Sequence, residues 1–254
     1  SRAFINIWNG RAENDAYNQL ILRARLTWRE VAMLRAYAHY MKQLRFGLSQ
    51  EYIADTLIKY TEITDMLAEL FSARFSPAKQ KGKPQVDKWL QGIEQSLESV
   101  NNINEDRIMR RYVELMKATL RTNFYQEDEP GRRKDYISFK LNPAKISGIP
   151  LPRPMFEIFV YSPRVEGVHL RGGKVARGGL RWSDRIEDFR TEVLGLVKAQ
   201  QVKNAVIVPV GAKGGFVAKQ LPLDGDREAF MREGIACYKT FIRALLDVTD
   251  NLKE

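Results

Sequence analysis

Apolar residues recur every three or four positions through the first half of this chain, and in the second half they fall into short runs and alternations. The first pattern predicts helices, because side chains three and four apart share one helical face. Val31, Leu34, Ala38 and Met41 mark one helix, and Thr27 with Glu30 gives it a capping box. Gly47 ends that helix and Ser49 can cap the next, which carries Ile53, Leu57 and Tyr60. The stretch SPAKQKGKPQ, residues 76–85, is polar and broken by two prolines, so it reads as a loop. Val86, Leu90, Ile93 and Leu97 mark a third helix. A fourth is capped by Asn104, with Glu105 and Asp106 in its first turn, where negative charge suits the helix dipole.

The second half changes period. Tyr136–Leu141 and Phe156–Tyr161 are rich in aromatic and β-branched residues, as strands are. Pro150, Pro152 and Pro154 force an extended link between them. Val168–Arg171 and Gly179–Trp182 read as further short strands. Asp184 with Glu187 can start a helix whose packed face is Val193, Leu196, Val197 and Gln200. Ala205–Val210 is a continuous apolar run, as in a strand covered on both faces. Asp226 caps a long last helix with Phe230, Tyr238, Phe241, Leu245 and Val248. The predicted class is α/β (α+β overall), a helical region over 1–130 followed by a mixed layer over 131–254. The boundary is placed at the charged stretch QEDEPGRR, residues 126–133.

Composition adds where the charge lies. The net charge is +10, but residues 1–130 carry 19 lysines and arginines against 17 acids, and residues 131–254 carry 22 against 14. The positive field thus sits on the second half, which suits an acidic small molecule and also fits nucleic acid. Cys237 is alone, so no intramolecular disulfide forms and a reducing, cytoplasmic setting is the simplest expectation. No apolar run approaches a bilayer span, so no membrane association is expected.

Candidate chemistry concentrates in RGGLRWSDR (177–185) and VKNAVIVPVGAKGG (202–215). Arg177, Arg181, Lys203 and Lys213 stand in or beside glycine-rich segments where a small anion can reach the backbone. Gln200 lies three residues before Lys203, on the same helical face. Gly211, Gly214 and Gly215 around Lys213 allow a tight turn and open space for its amine. Each residue has a plainer reading. Arg177 could be a solvated turn residue, and Lys203 a cation on a helix C-terminus. Arg181 and Arg185 could pair with Asp184, Glu187 and Asp188, the preferred reading for Arg185. Trp182 reads as core. A phosphate-loop reading of Lys213 fails because Gly214 stands where Ser or Thr would hold magnesium. His39, His169 and the single Cys give no metal pattern.

Their order resembles the substrate-binding core of the glutamate dehydrogenase family, in wording most similar to its large bacterial NAD-dependent members. Gly178, Gly179 and Arg181 match a GGxR element, Gln200 and Lys203 a helix ending in lysine, and Lys213-Gly214-Gly215 a G-x-K-G-G turn. The resemblance runs from about Tyr136 to Asp250, more loosely before. Arg177 stands where the small enzymes have lysine, and the interval from Lys203 to Lys213 is shorter than theirs. What the resemblance implies is oxidative deamination of L-glutamate to 2-oxoglutarate and ammonia. Lys203 and Gln200 would hold the α-carboxylate, Arg177 the side-chain carboxylate, and Lys213 would be catalytic. Gly178 and Gly179 would line the substrate site, with Arg181, Gly211, Gly214 and Gly215 in support. It further implies a later catalytic aspartate and a Rossmann domain for NAD, neither of which the sequence contains. A fragment inactive by itself, an oligomeric full-length enzyme and no nucleic-acid partner are therefore expected. The competing expectation is a basic module that binds RNA or another polyanion, or a helical oligomerisation piece.

Overall fold

The computed structural model describes residues 2–78, 83–174, 177–203, 211–222 and 225–249, with the backbone alone for residues 2, 3 and 201–203. The chain forms two compact units. Residues 1–42 and 46–117 make the first, and residues 43–45 and 118–254 the second.

The first unit is helical: α1 (Arg2–Trp8), α2 (Leu20–Arg23), α3 (Trp28–Gln43), α4 (Gln50–Lys59), α5 (Thr61–Phe75), α6 (Lys83–Leu97) and α7 (Ile103–Ala118). The caps act as read at two helix starts. Thr27 Oγ1 accepts from the Glu30 amide and Glu30 returns to the Thr27 amide, while Ser49 Oγ accepts from Tyr52. At α7 the cap is Asn102, not Asn104: its Oδ1 accepts from the amides of Asn104 and Glu105. Of Asn102 and Asn104, only Asn102 sits outside the helix with its carbonyl oxygen aimed inward. Tyr60 ends α4 rather than riding on it, and α5 follows at once. No one-sided stripe announces α5, because Ile63, Leu67, Ala68, Leu70, Phe71 and Ala73 are buried around most of its circumference. In the core the Tyr37 ring meets Phe71 and Tyr112 edge-on, at 6.3 and 6.4 Å between centroids.

The second unit is built on a six-stranded sheet of order β1-β4-β5-β6-β8-β7: β1 (Thr119–Thr122), β4 (Ile137–Leu141), β5 (Phe156–Tyr161), β6 (Val165–Arg171), β7 (Leu180–Trp182) and β8 (Ala212–Ala218). A separate hairpin, β2 (Glu127–Glu129) with β3 (Arg132–Arg133), occupies the stretch read as a domain boundary, and it lies inside this unit. All neighbours in the large sheet are antiparallel except β7 and β8, which run parallel. A parallel pair needs a crossover, and α8 (Phe189–Lys203) supplies it. This helix starts later than the Asp184–Glu187 pair suggested.

Successive residues of β8 point to opposite faces. A side chain at Gly215 would strike Val193 of α8, whereas Phe216 stacks on Phe241 of α9 (Arg227–Leu246) at 5.7 Å. The two helices therefore cover opposite faces. The apolar core on the α9 face joins Ile158, Val160, Val165, Phe216, Phe241 and Leu245, with Trp182 partly buried against it. Asp226 caps α9 through the amides of Glu228 and Ala229. The strand expected over Ala205–Val210 lies outside the described residues.

Candidate active site

The N-terminal ends of β7 and β8 meet the loop before β7, and there the sequence-predicted residues gather. Arg177 O accepts from the Ala212 amide at 2.9 Å and Gly179 O from the Gly214 amide at 3.2 Å. These bonds draw residues 177–179 alongside the start of β8. Glycine is required for that approach: a Cβ on Gly178 would lie 1.5 Å from Ala212 O, and one on Gly211 2.7 Å from Arg177 O. Gln200 is brought to the same place, its Nε2 3.2 Å from where a Gly211 Cβ would stand.

Lys213 lies inside β8, not in a turn as its glycines suggested. None of Gly178, Gly179, Gly211, Gly214 or Gly215 is left-handed, and the left-handed glycines are 10, 47, 131, 148 and 225. The glycines serve close approach instead. Gly214 leaves room for Leu180 of β7 and His169 of β6, and Gly215 leaves room for Val193. Lys213 shares the face of Gly215, the α8 face, and its Nζ lies 3.8 Å from the position of a Gly179 Cβ. It is half-buried, Arg177 is exposed, and neither side chain has a hydrogen bond or ion pair among the described residues. The backbone of Lys203 ends α8, and its side chain lies outside what is described.

Other cations here are committed to the fold. Arg181 Nε pairs with Glu192 of α8 at 2.5 Å, not with the acids at 184, 187 and 188, and Glu192 also accepts from Ser183 Oγ. That arrangement ties β7 to the crossover helix. Arg185 pairs with Asp188 at 2.9 Å, as read. Arg190 and Glu157 form a two-pronged pair at 2.6 and 2.7 Å, with side chains 1% and 0% exposed, fixing the start of α8 to β5. Glu192, Glu157 and Arg190 were not picked out in the sequence. The available signal for Glu157 was a lone carboxylate within the apolar run Phe156–Tyr161.

On the opposite face His169 stands behind Gly214, its partner in the β6–β8 register. Its Nδ1 is buried without a hydrogen bond among the described residues. Burial, with Arg171 adding to it, pushes its pKa down to about 4, so the ring is neutral near pH 7. Burial raises the Cys237 thiol to about 12, which leaves it unreactive.

Residues 92–254 match the family described as bacterial NAD-glutamate dehydrogenase, catalytic domain, and residues 12–77 match glutamate dehydrogenase, helical motif 3. Among relatives, the NAD-specific glutamate dehydrogenase of Halomonas elongata is 66% identical over 98% of this chain. Those of Pseudomonas aeruginosa and Mycobacterium tuberculosis are 62% and 51% identical over 99%. The chain spans 16% of the length of each of these relatives. These matches do not favour the reading as an RNA- or polyanion-binding module. With matches reaching across both units and relatives 51–66% identical over nearly its whole length, the chain belongs to the bacterial NAD-glutamate dehydrogenase catalytic-domain family.

Proposed function

We propose that the β7–β8 end is the dicarboxylate-binding part of an active site that converts L-glutamate to 2-oxoglutarate and ammonia. One observation carries this: Arg177 and Lys213, cations without partners among the described residues, stand on adjoining segments beside Gln200, where glycine hydrogens replace side chains. Arg177, with a planar fork of donors, suits the side-chain carboxylate. Gln200 and Lys203 suit the α-carboxylate. Lys213 Nζ, over the open space at Gly179, suits proton transfer to and from the water that adds to the α-carbon of the imine left after hydride loss, and to the ammonia that then departs from the carbinolamine.

The nicotinamide dinucleotide accepts the hydride in this chemistry. The β7–α8 link does not suit its pyrophosphate. The β7–α8 link carries Asp184, Glu187 and Asp188 and no glycine, so it repels phosphate where a dinucleotide fold would cradle it. The cofactor is therefore not assigned to this link. We further place the longer protein in the cytoplasm as a homo-oligomer; no helix among the described residues is long and apolar enough to cross a membrane.

The test separates binding from chemistry in the full-length enzyme. Lys213→Ala lowers kcat by about 10²–10⁴-fold, the usual range for loss of a positioned proton-transfer group. Lys203→Ala mainly raises the KM for glutamate, because it removes binding common to ground and transition states. Near-normal turnover of Lys213→Ala removes the assignment.

A further inference from the structure

The helix α9 has one apolar face buried against the sheet and a second stripe that is only partly covered: Ile242 packs on the core and the Tyr238 ring meets Phe216 at 6.0 Å, while the rest of the stripe is open. Gly234, Cys237, Phe241, Ala244 and Leu245 are buried against the sheet. Met231, Ile235, Tyr238, Ile242 and Leu246 follow one another at intervals of four, three, four and four along a second stripe. At about 100° per residue these five fall within an arc of about 80°, centred roughly 110° from the buried face. Met231, Ile235, Tyr238 and Leu246 are 45%, 49%, 44% and 63% exposed. A single exposed apolar residue needs no explanation, but a stripe along a 20-residue helix does.

The edge of this stripe that points away from the sheet is basic. Arg232, Lys239 and Arg243 recur at intervals of seven and four, and all three are exposed. Arg232 reaches Glu228 only at 3.5 Å and Asp226 at 4.0 Å, contacts that leave it 68% exposed. At the start of the helix an open cleft of about 430 Å³ lies between Trp182, Ile186, Leu221 and Phe230. It has the size to take one bulky apolar side chain.

We propose that the outer face of α9 docks an amphipathic helix with carboxylates along one edge, supplied by the part of the protein beyond these 254 residues. Charge complementarity selects this occupant. Two copies of α9 packed antiparallel would set each basic edge against its own counterpart, an arrangement opposed by like-charge repulsion. The relatives supply the source, because about five-sixths of their length lies outside the matched region.

Thiol labelling tests this in the chain alone and in the full-length enzyme. Ile235→Cys and, separately, Met231→Cys place a reactive thiol on the stripe, and the buried native Cys237 does not compete. Both positions are exposed, so neither substitution disturbs the core. The expected result is labelling at least tenfold slower in the full-length enzyme. A carbodiimide should there join the Lys239 amine to an Asp or Glu of a helical segment outside residues 1–254. Equal labelling rates in the two proteins overturn the proposal. So does protection that appears in the 254-residue chain as its concentration rises, which marks a second copy of α9. Protection that requires phosphatidylglycerol vesicles overturns it as well.

Discussion

The helical unit and the β7–β8 end of the sheet treat positive charge in opposite ways. In the helical unit several cations are answered by carboxylates. Arg35, 1% exposed, is gripped by Asp15 at 2.6 and 2.7 Å, and Arg110 lies between Glu94 and Asp106. Lys59 meets Glu105 at 2.8 Å, which also accepts from Tyr60 and is held below the usual carboxylate range. At the sheet end, Arg181 and Arg190 follow the same rule, but Arg177 and Lys213 have no acidic partner among the described residues. A cation with a carboxylate in place is spent on the fold. One held beside glycines without such a partner is available to an anionic ligand.

The comparison breaks first at Glu157. Glu157→Ala takes the two-pronged carboxylate from the buried Arg190 guanidinium, and breaking such a pair costs about 3–5 kcal/mol. Denaturant unfolding of the 254-residue chain measures this, and a loss below about 1 kcal/mol would place the pair among ornamental contacts.

His169 sharpens the contrast, being a titratable group kept neutral rather than paired. Its folded pKa of about 4 lies below the ordinary 6.5, so between those values the unfolded chain takes up a proton that the folded chain refuses. Its contribution to stability is full above about pH 6.5 and falls as the pH drops toward 4. The difference approaches 3 kcal/mol at the low end. His169→Gln should flatten that part of the stability curve; an unchanged slope assigns it to other groups.

Arg177 tests the ligand-facing class directly. In the full-length enzyme Arg177→Met should reduce kcat/KM for glutamate by roughly thirtyfold more than for norvaline, which lacks the second carboxylate. That corresponds to about 2 kcal/mol for a lost charge-assisted contact. Equal losses on both substrates would return Arg177 to the ordinary turn residues. The smallest effect belongs to a paired surface cation: Arg110→Ala should lower stability by about 1 kcal/mol or less, because exposed pairs gain little over water.

Much of the local architecture was legible in the sequence. The Thr27–Glu30 box, the Ser49 and Asp226 caps and the strand Phe156–Tyr161 follow from propensities and hydrogen bonds that act within a few residues. The glycine–lysine motifs were legible as a group, because their composition is unusual wherever they fold. What each glycine does was not. Gly178, Gly211, Gly214 and Gly215 looked like turn residues, yet their missing side chains make room for Ala212, Arg177, Leu180 and Val193. Those contacts exist only after α8 has carried the chain back to lay β8 between β6 and β7. The same is true of the charges. Glu157 and Arg190 are 33 positions apart, and no periodicity announces their meeting. The sequence by itself determined several helix caps, the strand Phe156–Tyr161 and which residues could carry chemistry, since those depend on near neighbours. Only the tertiary structure decided which cations are neutralised and which stand without a carboxylate among the described residues, because strand register and helix placement bring distant carboxylates to some of them and not to others.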